Sequence, residues 1–177
     1  EHMLNDESNE LLRINVPQSG SATITDDLIV HYALQCDAPL RIVMALSTVF
    51  PSSICSGDDY GRYPLHVAVK NGCRPELIEY LVQANPDAAR IQDSFGKTPI
   101  HYAGETYAEE LVGKVVPDLN AVHHFTLRVV ELLVEAGPES VNLEDENEMY
   151  PIEHAIVNGV HIRILKTMQR ASRKEWR

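Results

Sequence analysis

Three histidines recur at one interval and are the first residues that could do chemistry. His31, His66 and His101 lie 35 residues apart. Evenly spaced imidazoles could form a line of metal ligands. However, helices in neighbouring layers pack about 8–10 Å apart, and two zinc–nitrogen bonds of about 2.1 Å cannot span that gap. The spacing therefore favours buried imidazoles that hydrogen-bond one layer to the next, and it predicts no metal site.

The remaining histidine, acidic and cysteine groups do not suggest a catalytic or metal site either. His123 and His124 are adjacent, so on a helix they point to different faces, and no paired-cysteine spacing accompanies them. Adjacent carboxylates at 58–59 and 144–146 fall on predicted turns, where solvation explains them more simply than acid–base catalysis. The three cysteines are an odd number without CxxC spacing, and we interpret them as reduced thiols.

Sequence motifs of common enzyme classes are missing from the chain. It contains no G-x-S-x-G nucleophile motif, and no G-x-x-x-x-G-K-[ST] or G-x-G-x-x-G phosphate-binding motif. We therefore predict a protein that is not an enzyme and that carries no cofactor.

The spaced histidines belong to a longer internal repeat. The segments GRYPLHVA (61–68) and GKTPIHYA (96–103) align with an offset of 35 residues. A second marker, formed by Pro51, Pro86 and Pro138, follows offsets of 35 and 52. Apolar residues between the markers recur at i, i+1 and i+4, which is typical of short amphipathic helices. We infer four units, the third of which carries a 17-residue insertion.

These units resemble ankyrin repeats, whose signature is a turn followed by Thr-Pro-Leu-His-x-Ala. The segment DSFGKTPIHYA (93–103) matches almost fully, and DDYGRYPLHVA (58–68) has Tyr63 in place of Thr. The outer units are degenerate, as expected of caps: the fourth has Glu153 in the histidine position and lacks the turn glycine, which leaves the register of its tip open. The resemblance implies an all-α repeat solenoid, an ankyrin-like stack of helix pairs joined by β-hairpin turns.

The resemblance and the markers together divide the chain into three parts. Two interpretations of the insertion stay open: it packs its apolar side on the array, or it is a functional loop. The predicted parts are a tag remnant with a flexible or loosely docked N-terminal segment (1–24), a repeat domain (25–170; units at about 25–57, 58–92, 93–144 and 145–170, insertion at about 105–124) and a basic C-terminal tail (171–177).

In ankyrin-like folds the turn tips and the inner face of each first helix contact partners, and the resemblance implies the same surface here. Tyr60 and Phe95 are the expected anchors, because aromatic side chains dominate interface hot spots, whereas Tyr63 is expected to pack between turns. Acidic tip residues, Asp58, Asp93 and Asp145 included, would attract a basic ligand. The predicted partner-binding residues are Asp59, Tyr60, Arg62, Lys70, Asn71, Ser94, Phe95, Lys97, Glu105, Glu146, Asn147 and Glu148.

Net charge and hydropathy limit the classes of partner that the chain could bind. The chain has a formal charge of −11, but residues 160–177 carry a local +5 and the rest carries −16. An acidic body repels phosphate backbones, which disfavours nucleic acid. No apolar run reaches the roughly 20 residues of a membrane span, and no signal peptide is visible. We expect a monomer in the cytoplasm or nucleus that binds another protein, of basic character, and neither nucleic acid nor a membrane.

The sequence thus favours a protein–protein interaction module of the scaffold or adaptor type. Three alternatives stay open at this point. The chain could be the regulatory or targeting domain of a larger enzyme, or a homo-oligomerisation module, or its basic C-terminal helix could bind an acidic membrane or nucleic acid.

Overall fold

The computed structural model describes residues 25–111 and 119–175, with side chains at 25–106 and 122–173, and every regular element in these ranges is helical. Short 3₁₀ helices lie at Asp26–Leu28, Pro51–Ile54, Pro86–Ala89 and Pro138–Asn142. The α-helices are α1 (Ile29–Gln35), α2 (Leu40–Val49), α3 (Pro64–Lys70), α4 (Pro75–Ala84), α5 (Pro99–Leu111), α6 (Leu119–Ala136), α7 (Pro151–Val157) and α8 (Ile162–Glu175).

The first helix of the second, third and fourth units begins at a proline, where the missing N–H costs no hydrogen bond. In α3 and α7 the residue two positions after the proline caps the helix. In α3, Nδ1 of His66 accepts the N–H of Tyr63 at 3.1 Å. In α7, Glu153 occupies the histidine position, and its carboxylate accepts the N–H of Tyr150 at 2.9 Å. The substitution that makes the fourth unit degenerate therefore preserves the capping hydrogen bond.

Helix pairs stack in chain order. The first helices α1, α3, α5 and α7 pack one on the next, the second helices α4, α6 and α8 do likewise, and one apolar core runs through all layers. This arrangement confirms the predicted all-α ankyrin-like stack. The largest fully buried apolar side chains are Leu34, Leu65, Ile78, Leu81, Ile100, Leu133, Ile164 and Met168.

The three spaced histidines join consecutive layers. Nε2 of His31 donates to the carbonyl oxygen of Arg62 at 2.8 Å, and Nε2 of His66 donates to that of Ile91 at 2.9 Å. His101 donates to the carbonyl of Met149 at 3.3 Å. All three imidazoles are buried. The interpretation of these residues as structural hydrogen-bond donors is confirmed.

The insertion lengthens the third helix pair. Helix α5 has 13 residues where α3 has seven, and α6 has 18 where α4 has ten. Thus residues 105–111 continue α5 and residues 119–124 begin α6. The rest of the insertion lies outside the described residues.

The C-terminal boundary differs from the expected one. Helix α8 continues to Glu175, and Ala171 is buried in the core. The segment predicted as a basic tail is therefore helix as far as residue 175, because its apolar stripe continues that of the residues before it. The predicted N-terminal segment 1–24 lies outside the described residues. No helix in the described ranges is long and apolar enough to cross a membrane.

Candidate functional site: the row of turn tips

Each tip is built around one aspartate at its start. One carboxylate oxygen, Oδ1, accepts backbone N–H groups two and four residues later, at 3.0 and 2.9 Å for Asp58. The corresponding distances are 2.9 and 2.9 Å for Asp93, and 2.9 and 3.1 Å for Asp145. The N–H of each aspartate donates to the carbonyl four residues later, which closes the turn. Each aspartate thus stabilises the conformation of its own turn, and its Oδ1 atom is already occupied by backbone hydrogen bonds.

The second carboxylate oxygen of each aspartate is also bound, by a different side chain in each unit. Arg62 donates to Asp58 at 2.6 and 2.8 Å, the hydroxyl of Tyr102 donates to Asp93, and Nε2 of His154 donates to Asp145 at 2.8 Å. Asp93 and Asp145 are buried. The expectation that these three aspartates form part of an acidic rim is therefore wrong, because the turn needs their lone pairs.

Electrostatics at the buried tip groups follow from these contacts. Desolvation opposes ionisation of Asp145, but hydrogen bonds from His154 and from the N–H groups of Met149 and Asn147 lower its pKa to about 2. Desolvation and the hydrogen bond to Asp93 raise the pKa of the Tyr102 hydroxyl. Asp145 therefore stays ionised and Tyr102 stays neutral at physiological pH.

Successive tips are joined through the backbone. The N–H of Ser94 donates to the carbonyl of Tyr60 at 2.8 Å, and the N–H of Glu146 donates to that of Phe95 at 3.0 Å. In the fourth tip Glu148 adopts φ +59°, the conformation that Gly96 has at φ +71°. The register that the sequence left open is thereby settled: Glu148 stands in the glycine position, and three tips form one hydrogen-bonded row.

Two aromatic rings stand on this row. Tyr60 is 52% exposed and Phe95 is 38% exposed, and their rings stack with centroids 6.0 Å apart at an angle of 21°. The guanidinium of Arg62 lies 4.8 Å from the centre of the Tyr60 ring. Tyr63 is half-buried and packs against the core. The backbone hydrogen bond between the two tips and the Arg62 guanidinium hold the aromatic pair in place, and both rings remain accessible to a partner.

Several of the predicted contact residues are already engaged within the chain. Arg62 pairs with Asp58, and Lys97 pairs with Glu105. The ammonium groups of Lys70 and Lys97 lie 5.4 and 5.5 Å from the centre of the Tyr102 ring. These charges are largely satisfied before any partner arrives.

The other predicted contact residues are exposed. Asn71 lies at the end of α3, with its amide 3.4 Å from the carbonyl of Leu34. Of the three acids in this group, Glu146 and Glu148 lie on the fourth tip and Asp59 lies on the second tip, next to Tyr60. The exposed members are Asp59, Lys70, Asn71, Ser94, Glu146, Asn147 and Glu148.

Sequence reasoning missed two sets of contacts. Tyr102 and His154 occupy the same repeat position and serve the same aspartate oxygen, which the alignment of 93–103 with 145–155 could have revealed. The ring of His123 packs against that of His161, with centroids 4.3 Å apart and planes tilted by 33°, at a cleft of about 180 Å³ between α6 and α8. Nothing in the repeat pattern signals this pair. Within the described side chains, no group of three metal-ligating residues could hold a metal ion.

Comparison with known proteins agrees with this architecture. The family described as "Ankyrin repeats (many copies)" matches residues 51–103, the part that holds the second unit and the start of the third. This chain carries ankyrin repeats. A similar protein is the Ankyrin repeat protein nuc-2 of Neurospora crassa, 28% identical over 121 residues. The match covers 68% of this chain but 10% of that relative, so this ankyrin-repeat chain spans about a tenth of its length.

Ankyrin repeats are in general protein–protein interaction modules, and the family is typically not enzymatic.

Proposed function

We propose that this ankyrin-repeat chain is a non-enzymatic scaffold or adaptor module that binds another protein on its tip row and the inner face of its first helices. The observation that carries the proposal is the exposed Tyr60–Phe95 stack on a hydrogen-bonded row of tips. Aromatic anchors on a rigid support suit a hot spot, because little side-chain entropy is left to lose on binding.

The charge of the row indicates the kind of partner. Once the internally paired groups are set aside, the exposed acids Asp59, Glu146 and Glu148 remain on the tips. They favour a partner with basic residues beside an apolar or aromatic anchor, and they would speed its association at low salt. The chain would act as a monomer, and the thiols of Cys36 and Cys55, exposed and free, support a reducing compartment.

The proposal is tested by affinity capture with matched variants. Proteins retained from a lysate of the source cells by the wild-type chain are identified, and each is then purified and titrated. Tyr60→Ala/Phe95→Ala should weaken a true partner about tenfold or more, because hot-spot truncations commonly cost more than 1 kcal/mol.

A control pair of exposed apolar residues on α2, Met44→Ala/Val49→Ala, should leave the affinity unchanged. If the tip variant and the α2 variant reduce binding equally, or if neither does, the assignment of the tip row is wrong. Far-ultraviolet circular dichroism of both variants confirms that the stack is intact.

A further inference from the structure

Helix α8 carries a row of basic side chains that the tip surface does not use. Arg163, Lys166, Arg170 and Arg173 follow one another at intervals of three, four and three residues, so they lie on one face of the helix. All four are exposed. At 1.5 Å per residue the row is roughly 15 Å long. Among the described residues, none of the four forms an ion pair with an acid.

The equivalent positions of the preceding second helices have the opposite character. In α4 they are Glu76, Glu79 and Gln83, and in α6 they are Arg128, Glu131 and Glu135. Arg128 pairs with Glu79 at 3.3 Å across the two helices. This face is therefore mainly acidic in the middle of the array and changes to uniformly basic in α8.

The fold itself does not explain this row. Like charges three and four residues apart destabilise a helix slightly. The helix dipole favours cations within the last turn alone, whereas Arg163 lies in the first turn, where a cation is unfavourable. In a chain with a net charge of −11, four bases that pair with no acid among the described residues are therefore kept in one line at a small cost in helix stability. An external acidic partner would remove that cost.

An apolar row runs beside the basic one. Ile162 is 55% exposed and lies one turn before Lys166, and Leu165 next to it is half-buried. Ile156 of α7 is 58% exposed. The equivalent residues of the inner units, Val69 and Gly104, are buried. Among the described residues no helix covers this position of the fourth unit, whereas in the inner units the next pair of helices stacks there.

We propose that this α7–α8 face, defined by Ile156, Ile162, Leu165 and the four bases, docks an acidic amphipathic helix of a partner protein. In the inner units the position of Leu165 is buried, as Ile78 and Val130, whereas the positions of the bases stay at the surface. A helix that covered the apolar row would therefore lie directly beside the basic row. Apolar residues of the incoming helix would cover the isoleucines, and its acids, at intervals of three and four residues, would meet the bases. The surface is separate from the tip row and would be occupied independently.

The remaining anionic partners fit the face less well. A nucleic acid would pair with the bases but would leave the adjacent isoleucines without an apolar contact. An extended anionic membrane would also face the rest of the chain, which carries −16. A narrow acidic helix meets the basic row and the apolar row without approaching the acidic body.

The test is a selection of displayed helical peptides on the whole 177-residue chain at about 0.15 M salt, the ionic strength at which surface charges are screened beyond about 8 Å. The library consists of helical peptides whose surface positions are randomised. Peptides that bind the wild-type chain are kept, and those that also bind the charge-reversed variant Lys166→Glu/Arg170→Glu are removed. The selected peptides should be rich in Asp and Glu next to an apolar stripe. They should bind the wild type about tenfold or more tightly than the charge-reversed chain. In that chain the peptide acids lose two basic partners, and the two introduced glutamates also repel them.

Matched variants separate this face from the rest of the molecule. Ile156→Asn/Ile162→Asn should also weaken the selected peptides, whereas Arg74→Glu, Val49→Asn and Tyr60→Ala/Phe95→Ala should not. Selected peptides without enrichment in acids, or equal binding to the charge-reversed chain, would overturn the proposal. So would duplex DNA or phosphatidylserine vesicles that bind the wild type more tightly than the selected peptides.

Discussion

The backbone N–H of Ser94 donates to the carbonyl of Tyr60 at 2.8 Å and thereby ties the second tip directly to the third. The same contact recurs between Glu146 and Phe95 at 3.0 Å. Because each tip is also closed around its own aspartate, the row is ordered before it meets a partner. Preorganisation of this kind reduces the entropy lost on binding, and it makes the stability of the tips measurable through single substitutions.

Gly96→Ala should destabilise the chain more than Gly159→Ala. Both glycines have positive φ, +71° and +68°, so either alanine is strained by about 1–2 kcal/mol. A Cβ on Gly96 would in addition lie 2.9 Å from the backbone nitrogen of Glu146, whereas one on Gly159 meets nothing within 4 Å. Urea denaturation would measure the difference. Equal losses of stability would contradict the close contact between the third and fourth tips.

Removing the imidazole of His66 should cost more than removing that of His31. His66 uses both ring nitrogens, since Nδ1 caps α3 and Nε2 joins the next layer. In His31 the Nδ1 atom is buried and has no hydrogen-bond partner among the described residues. Because a hydrogen bond contributes about 0.5–1.5 kcal/mol, we expect His66→Ala to be the more destabilising by about that amount. A thermal or chemical denaturation series gives the comparison, and the reverse order would contradict it.

The stack should lose stability as the pH falls from about 6.5 to about 4. Burial, followed by the charge of His154, lowers the pKa of His101 from 6.5 to about 4, and burial also lowers the pKa values of His31 and His66. The unfolded chain therefore binds protons first. A depressed folded-state pKa gives stability that is present above the unfolded value and lost as the pH falls towards the folded one. For His101 the loss is on the order of 3 kcal/mol.

Urea unfolding at several pH values measures this dependence. His101→Gln removes one titrating imidazole, so its stability should fall less steeply with acidity than that of the wild type. A free energy of unfolding of the wild type that stays constant from pH 7 to pH 4.5 would contradict the burial of His31, His66 and His101.

Thiol reactivity should divide the three cysteines into two classes. Cys36 and Cys55 are exposed, whereas Cys73 is buried and its pKa is raised to about 11 by burial and by Asp37. Because the thiolate is the reactive form, a disulfide reagent at pH 8 should label two thiols quickly and the third at the rate of unfolding. Cys73→Ala should abolish the slow phase alone. Three equal rates would show that the turn after α3 is open.

The fold could be predicted from the sequence because the residues that mark each unit are close together in the chain and recur from unit to unit. The prolines at 64, 99 and 151 start helices, and the histidine spacing reports the distance between layers. The fourth unit was harder to recognise, since Glu153 replaces the histidine and Glu148 the glycine. Physically each substitute does the same work: a carboxylate can accept the capping N–H, and a non-glycine residue can adopt positive φ at some cost.

The candidate site was less predictable than the fold. Tyr60 and Phe95 could be placed on tips from the alignment, but their stacking depends on the spacing between units. The aspartates of the tips looked like exposed acids until their partners, Arg62, Tyr102 and His154, were located. Those partners differ in type from one unit to the next, so only the shared repeat position of Tyr102 and His154, and no repeated residue type, points to them. The predicted partner-binding residues themselves remain a prediction.

The most direct test of the tip-row assignment is photo-crosslinking from that surface. Benzoylphenylalanine is placed at Phe95 in one chain and at Met44, an exposed residue of α2, in another. Each chain is irradiated with the partner identified by affinity capture. We predict a covalent adduct with the partner from position 95 and none from position 44. An adduct from position 44 alone would contradict the claim that the tips of the ankyrin stack hold the partner.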